Sequence, residues 1–372
     1  MTRVRGVATA VVVAAVFLAG ACAANADVFH MGGGLTSLEF VPVGNPGNTG
    51  ELSGAGAGGY GLDRICGAVA YTFNMGKFEV TAGQYTAFLN VVARNDAYGL
   101  YNTNMADPYT QHVWGCNIQR SGSQGSYTYS VASDWANRPV NFVSWGDAAR
   151  FANWLTNGQP TGAQNASTTE DGSYYLDGAV TNADLMAVVR KTPEQGGRYY
   201  IPTEDEWYKT AYHKNDGITG NYYDFPTGSD SRPSKDLVSP DAGNNANFML
   251  LVGSEPVYTI GSPYYRTLVG EFENSESPYD TFDQGGNVWE WNEAILTYPP
   301  GVGVISSRGL RGGAFYGYEE YLHATCRAGD SAPSNEQYHI GFRVSEVPEP
   351  ATMSLLALGG LGMLMRRRSV RG

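Results

Sequence analysis

At three places along this chain apolar residues recur at helical spacing, each behind the same start pattern. A hydroxyl residue followed three positions later by Gln, Asp or Glu closes a reciprocal cap on free backbone amides, and this pairing occurs at Thr81/Gln84, Ser144/Asp147 and Thr203/Glu206. After the first, Tyr85, Phe88, Leu89 and Val92 form one stripe; after the second, Ala148, Phe151, Ala152 and Leu155 do the same, with Asn157-Gly158 as a stop. The third is shorter: Ile201-Pro202-Thr203 leads into a helix over 204–212 carrying Trp207 and Ala211 four apart. Short strands between Gly, Asn, Ser and Pro clusters are predicted at 72–79, 126–131, 198–201, 310–315 and 341–344. The stretches 215–247 and 254–279 carry few periodic apolar residues and read as ordered loops or ion-held segments.

Two apolar runs at the ends do not belong to this pattern. Arg3 and Arg5 precede an apolar run over 7–20, and Ala24-Asn25-Ala26 is a small-x-small cleavage site, so residues 1–26 read as a signal peptide with Asp27 as the mature start. Cys22 leaves a lipoprotein cysteine as an alternative. Near the C-terminus, Val347-Pro348-Glu349-Pro350 precedes an apolar segment over 351–365 and then Arg366-Arg367-Arg368. The run is shorter than the roughly 20 residues of a comfortable membrane span. It resembles the PEP-CTERM sorting signal of Gram-negative bacteria, which implies transient membrane anchoring through 351–365, cleavage by an exosortase and delivery to the cell surface. A plain anchor oriented by the arginine cluster is the competing reading.

Composition changes the picture in one respect. The 372 residues can bury a sizeable core, and 48 Gly, 25 Tyr and 7 Trp with 16% charged residues describe a loop-rich fold that leans on aromatics. Removing Arg3, Arg5, Arg366, Arg367, Arg368, Arg371 and Glu349 takes 24 basic and 36 acidic residues to 18 and 35, a body near −17. Such a surface repels phosphate backbones, so nucleic acid is excluded as a partner. Cys66, Cys116 and Cys326 are too few and too far apart for a disulfide framework or a zinc site, and His30, His112, His213, His323 and His339 are scattered.

Six segments then appear in a telling order: 77–85 (Lys-Phe-Glu-Val-Thr-Ala-Gly-Gln-Tyr), 139–145 (Pro-Val-Asn-Phe-Val-Ser-Trp), 201–207 (Ile-Pro-Thr-Glu-Asp-Glu-Trp), 286–291 (Gly-Asn-Val-Trp-Glu-Trp), 310–313 (Leu-Arg-Gly-Gly) and 341–343 (Gly-Phe-Arg). In this the chain resembles formylglycine-generating enzyme, also called sulfatase-modifying factor, from about Leu38 to Ser345. The resemblance implies a single α+β domain over 27–345 with the C-type-lectin-like formylglycine-generating-enzyme fold and little regular secondary structure, followed by the sorting segment 346–372.

The resemblance also implies where chemistry would be. Active members of the family follow Arg-Gly-Gly-Ser with two cysteines that hold Cu(I), a metal that needs soft thiolates. Counting from Arg311, those positions are Gly317 and Leu322; counting back from Gly341, they are Phe315 and Glu320. Neither register holds a cysteine, and Cys326 alone supplies one thiolate, so no copper and no catalytic residue are expected. The family's calcium loop projects onto the side chain of Asp283, the carbonyls of Gly286 and Val288 and the carboxylate of Glu290, hard oxygens that suit Ca²⁺. Glu290 paired with Arg311 or Arg343 is the competing reading. A second family calcium site falls on Asn247 and Phe248, with Ser262 where an acid is usual. Glu204, Asp205 and Glu206 are explained by cap and helix dipole, and Trp145, Trp207, Trp289 and Trp291 read as core or loop anchors.

Two functions are open on these grounds. One is a calcium-stabilised, non-catalytic binding or structural module of the cell envelope, partnered by extracellular polysaccharide or an envelope protein. The other is an extracytoplasmic enzyme of the same superfamily that oxidises a protein cysteine to formylglycine or carries out a related oxidation.

Overall fold

All three capping boxes close, so the helices begin where the hydroxyl residues stand. The computed structural model describes residues 38–107, 113–297, 306–329 and 331–348; the signal segment 1–26, the apolar segment 351–365, His30 and His112 lie outside them. In chain order the regular elements are β1 Phe40–Val43, β2 Glu51–Ser53, β3 Arg64–Cys66, β4 Phe73–Gly76, α1 Ala82–Val92, β5 Ile118–Ser121 and β6 Thr128–Val131. There follow α2 Ser133–Ala136, α3 Trp145–Thr156, α4 Asn182–Ala187, β7 Tyr199–Tyr200, α5 Glu204–Tyr212, β8 Met249–Val252 and β9 Glu255–Tyr258. The last four are β10 Trp289–Thr297, β11 Ser306–Arg311, β12 Ile340–Gly341 and β13 Ser345–Glu346.

Helices α1 and α3 face each other through the predicted stripes. Phe88 meets Phe151 with ring centroids 5.2 Å apart and Trp154 at the same separation, and Phe342 closes the layer 5.3 Å from Phe151. This aromatic layer belongs to the largest cluster of buried apolar side chains, which reaches from Leu38 to Val344 and so ties the two ends of the described chain. The four-stranded sheet β1-β4-β13-β7 is antiparallel throughout, while β10 pairs antiparallel with β11 and parallel with the short β12. Helices and strands mix within one body, as an α+β fold requires.

The strand expectations hold in part. The strand predicted over 310–315 stops at Arg311, because Gly312 (φ +97°) and Gly313 (φ +75°) turn the chain into the left-handed region. A side chain at Gly312 would place its Cβ 2.5 Å from the carbonyl oxygen of Gln284. Of the segment predicted over 341–344 only Gly341 is in a strand, the end of β12, with β13 starting at Ser345, and the longest strand among the described residues, β10, lies where no strand was predicted. Its Trp-Glu-Trp-Asn start is buried on both faces, so alternation, the usual sequence mark of a strand, is absent. The long loops are held by side chains: Asp241 accepts from Ser275 Oγ at 2.6 Å and from the Gly243 and Asn274 amides at 3.1 and 3.2 Å.

Candidate functional site

The turn at Gly312-Gly313 sends residues 314–322 back across the start of β10. Tyr316, Gly317, Tyr318 and Tyr321 from that segment and Trp289 from β10 enclose a cavity of about 370 Å³. His339, just before β12, forms a further wall, and Tyr60 and Met249 reach in from the β2–β3 connection and from β8. Backbone bonds fix these pieces: the Trp289 amide donates to His339 O at 2.8 Å, and the Met249 amide to Gly317 O at 2.8 Å. Trp289 and Tyr321 stand with centroids 5.8 Å apart at 57°, and Tyr318 stacks on Tyr321 at 6.3 Å.

No charged side chain and no cysteine lines this cavity. Burial pushes the His339 imidazole down to about 4, so it is neutral at ordinary pH, and its Nδ1 is buried without a partner. Burial likewise raises the Tyr321 phenol, with Glu320 adding to the shift. The site is a neutral, aromatic-walled recess with unpaired hydrogen-bonding capacity.

The segment carrying His339 is held down by an acid pair. Trp145 N donates to Pro333 O at 2.9 Å and Phe142 N to Gln337 O at 3.0 Å, while the Glu336 carboxyl meets Asp147 and accepts from Asn102 Nδ2. Burial, then Asp147, push Glu336 up to about 8, and burial pushes Asp147 up to about 6. The folded state therefore holds a proton that the unfolded chain releases at its ordinary carboxylate pKa, and stability declines as pH rises toward about 8. A melting midpoint that falls between about pH 6 and 8, and a flatter profile in Glu336→Gln, are the expected results of thermal scans.

The positions of the absent copper ligands separate. Gly317 borders the cavity, whereas Leu322 is fully buried and outside its lining, packed with Phe225, Ala246 and Phe248. In the other register Phe315 is a core residue and Glu320 is exposed. Cys326 is 2% exposed and its carbonyl accepts from Arg311 at 2.7 Å. Cys66 is buried beside Arg311, and burial followed by Glu204 pushes its thiol up to about 11, the reverse of an activated thiolate.

Asp283, Gly286, Val288 and Glu290 follow one another along the loop into β10, and both carboxylates have protein partners. Glu290, fully buried, is held bidentate by Arg343 at 2.6 and 2.7 Å and accepts from Trp207 Nε1 at 2.7 Å. Asp283 accepts from the Gly270 amide at 2.6 Å, and burial raises it to about 7. The Gly286 amide donates to Gly312 O at 2.8 Å, and the Val288 side chain packs on Gly341. A guanidinium thus supplies the positive charge next to Glu290, and this set does not fit a divalent cation unless Arg343 is displaced. Among the described residues no group of three or more His, Cys, Asp or Glu converges as metal ligands. At Asn247 the backbone carbonyl accepts from the Asn287 amide at 3.0 Å, while its Oδ1 and Asn287 Nδ2 are buried without partners. Phe248 O accepts from Thr259 Oγ1 at 3.0 Å, and no carboxylate joins that pair.

The acidic run at the head of α5 serves structure by more than the predicted cap. Glu204 binds Arg311 at 2.8 Å, Arg327 at 2.7 Å and Arg64 at 3.2 Å, Asp205 pairs with Arg64, and Glu206 closes the cap while meeting Arg190 at 3.2 Å. Arg64, Glu204, Asp205 and Arg327 of these pairs line a larger cleft of about 590 Å³, where their charges are spent on one another. Of the four tryptophans, Trp145, Trp207 and Trp291 are anchors with no exposure; Trp289 departs from that expectation by forming a wall of the aromatic cavity. Tyr60, Met249 and His339 were invisible as site residues because two loop positions and the first residue of a short strand carry no shared period. The tyrosines flanking Gly317 gave the available signal.

Residues 68–347 match the sulfatase-modifying factor enzyme 1-like domain. The chain belongs to that family. Residues 346–369 match the PEP-CTERM protein-sorting motif, which marks an exported bacterial protein sorted to the cell surface and implies processing by an exosortase. Formylglycine-generating enzyme of Thermomonospora curvata is 23% identical over 238 residues, 59% of each chain, so this family member spans about three fifths of the curated relative it matches. Among solved structures, Treponema denticola variable protein 1 is 19% identical, covering 84% of this chain and 96% of its own, with a TM-score of 0.48. PvdO from Pseudomonas aeruginosa is 17% identical, covering 84% and 95%, with a TM-score of 0.42.

Proposed function

We propose that this exported family member is a non-catalytic binding module of a Gram-negative cell envelope, with the aromatic cavity as its binding site and an extracellular polysaccharide or envelope protein as its partner. The observation that carries the reading is Gly317: the cavity borders the position where active formylglycine-generating enzymes place a copper-holding cysteine, and neither register offers a thiolate there. The copper chemistry of active members rests on a pair of thiolates, and the cavity lining holds no cysteine; Met249 and His339 are single donors on separate segments. Calcium has no part in this reading, because Arg343 already neutralises Glu290.

The test is a mass spectrum. Incubated with a Cys-x-Pro-x-Arg peptide, copper and oxygen, the purified protein should leave the peptide mass unchanged. Aldehyde formation on the cysteine, or a stoichiometric tightly held cuprous ion, would overturn the proposal. A chelator that lowered the melting midpoint, with Glu290→Gln abolishing the effect, would bring calcium back into the account.

A further inference from the structure

Building on the binding-module reading, we propose that the cavity holds a neutral, hydroxyl-rich ring: one pyranose unit of an uncharged polysaccharide. Three features of the walls lead there. Trp289 and Tyr321 are tilted by 57° at a centroid separation of 5.8 Å, so they form no parallel slot for a flat aromatic ligand. A puckered ring whose faces carry C–H groups packs well against two such walls, since the negative faces of indole and phenol attract the weakly positive hydrogens. At about 370 Å³ the cavity is at the small end of ligand pockets, which suits one ring with part of its neighbours.

The polar groups are of a matching kind. His339 Nδ1 is buried and unpartnered, and the hydroxyls of Tyr318 and Tyr321 have no hydrogen-bond partner among the described residues. Phenol hydroxyls both donate and accept, and a neutral imidazole presents one donor and one acceptor. Sugar hydroxyls share that double character, whereas carboxylates only accept and ammonium groups only donate. Charge excludes the obvious competitors: no cationic side chain lines the cavity to receive a uronic or sulfated polymer, and the strongly acidic body repels one.

The full chain can be titrated with cellohexaose, maltohexaose and mannohexaose, with hexagalacturonate as the charged control, by calorimetry and tryptophan fluorescence. At least one neutral hexamer should saturate a single site and hexagalacturonate should not. Trp289→Ala and Tyr318→Ala should each weaken binding up to roughly tenfold, the scale of one lost aromatic contact. Tyr318 is only partly buried, so its variant carries the test if Trp289→Ala fails to fold. His339→Gln should retain binding better than His339→Phe. Saturable binding of the acidic hexamer in preference, binding unmoved by Tyr318→Ala, or no binding of any neutral hexamer overturns the assignment. The two readings fail separately: aldehyde formation on the peptide sinks the binding module, while an inert chain that ignores every sugar sinks the pyranose alone.

Discussion

Glu204→Gln should lower the melting midpoint by on the order of 10 °C, since breaking a buried ion pair costs about 3–5 kcal/mol and each kcal/mol moves a domain of this size by a few degrees. Glu204 is 3% exposed and faces three guanidiniums, of which Arg311 has no exposure and Arg327 5%. Glutamine keeps the shape and one acceptor but leaves Arg311 and Arg327 without a counter-charge, while Arg64 keeps Asp205. Burial alone would raise the Glu204 carboxyl, yet Arg311, then Arg327 and Arg64, hold it down at about 2. Its contribution is therefore complete above the unfolded carboxylate range and lost as pH falls toward about 2, opposite in sign to Glu336. Together they place the stability maximum at mildly acidic pH, between the two windows. Thermal scans across pH should show both slopes in the wild type and lose the acid-side slope in Glu204→Gln.

Arg343→Met should be as damaging, and for a different reason. It strips the one guanidinium from a pocket that holds three acids: Glu290 with no exposure, Asp283, and Glu79, which is 1% exposed with both carboxyl oxygens unpartnered. Burial and then Asp283 already raise Glu79 well above the ordinary range. Without Arg343, Glu290 becomes an uncompensated buried charge, with a loss of about 3–5 kcal/mol expected. Adding Glu290→Gln to Arg343→Met should recover part of that loss, because the amide oxygen still accepts from Trp207 and position 290 no longer carries a buried charge. If the double variant is no more stable than Arg343→Met by chemical denaturation, the ion pair is not what holds this corner.

Caps and partner choice show how far the residues alone could be read. Thr81, Ser144 and Thr203 announce α1, α3 and α5 because a capping box is a contact over three residues, complete before any long-range packing. The partner of Glu290 was open between Arg311 and Arg343. The β10–β11 register sets Arg311 directly opposite Glu290, yet its guanidinium goes to Glu204 while Arg343 takes Glu290. Only the position of α5 beside the strands decides that exchange.

The chain by itself determined the family, the helix starts, the sorting motif and the lack of cysteine at Gly317 and Leu322, all of which are local or written in residue identity. The aromatic cavity was decided by tertiary structure, since Tyr60, Met249, Trp289, Tyr318 and His339 come from five separate segments and share no period. So was the split between Gly317 at the cavity and Leu322 in the core. Hydrophobic burial and turn sterics at Gly312-Gly313 bring those segments together, and such forces act on distance in space, which spacing along the sequence does not encode.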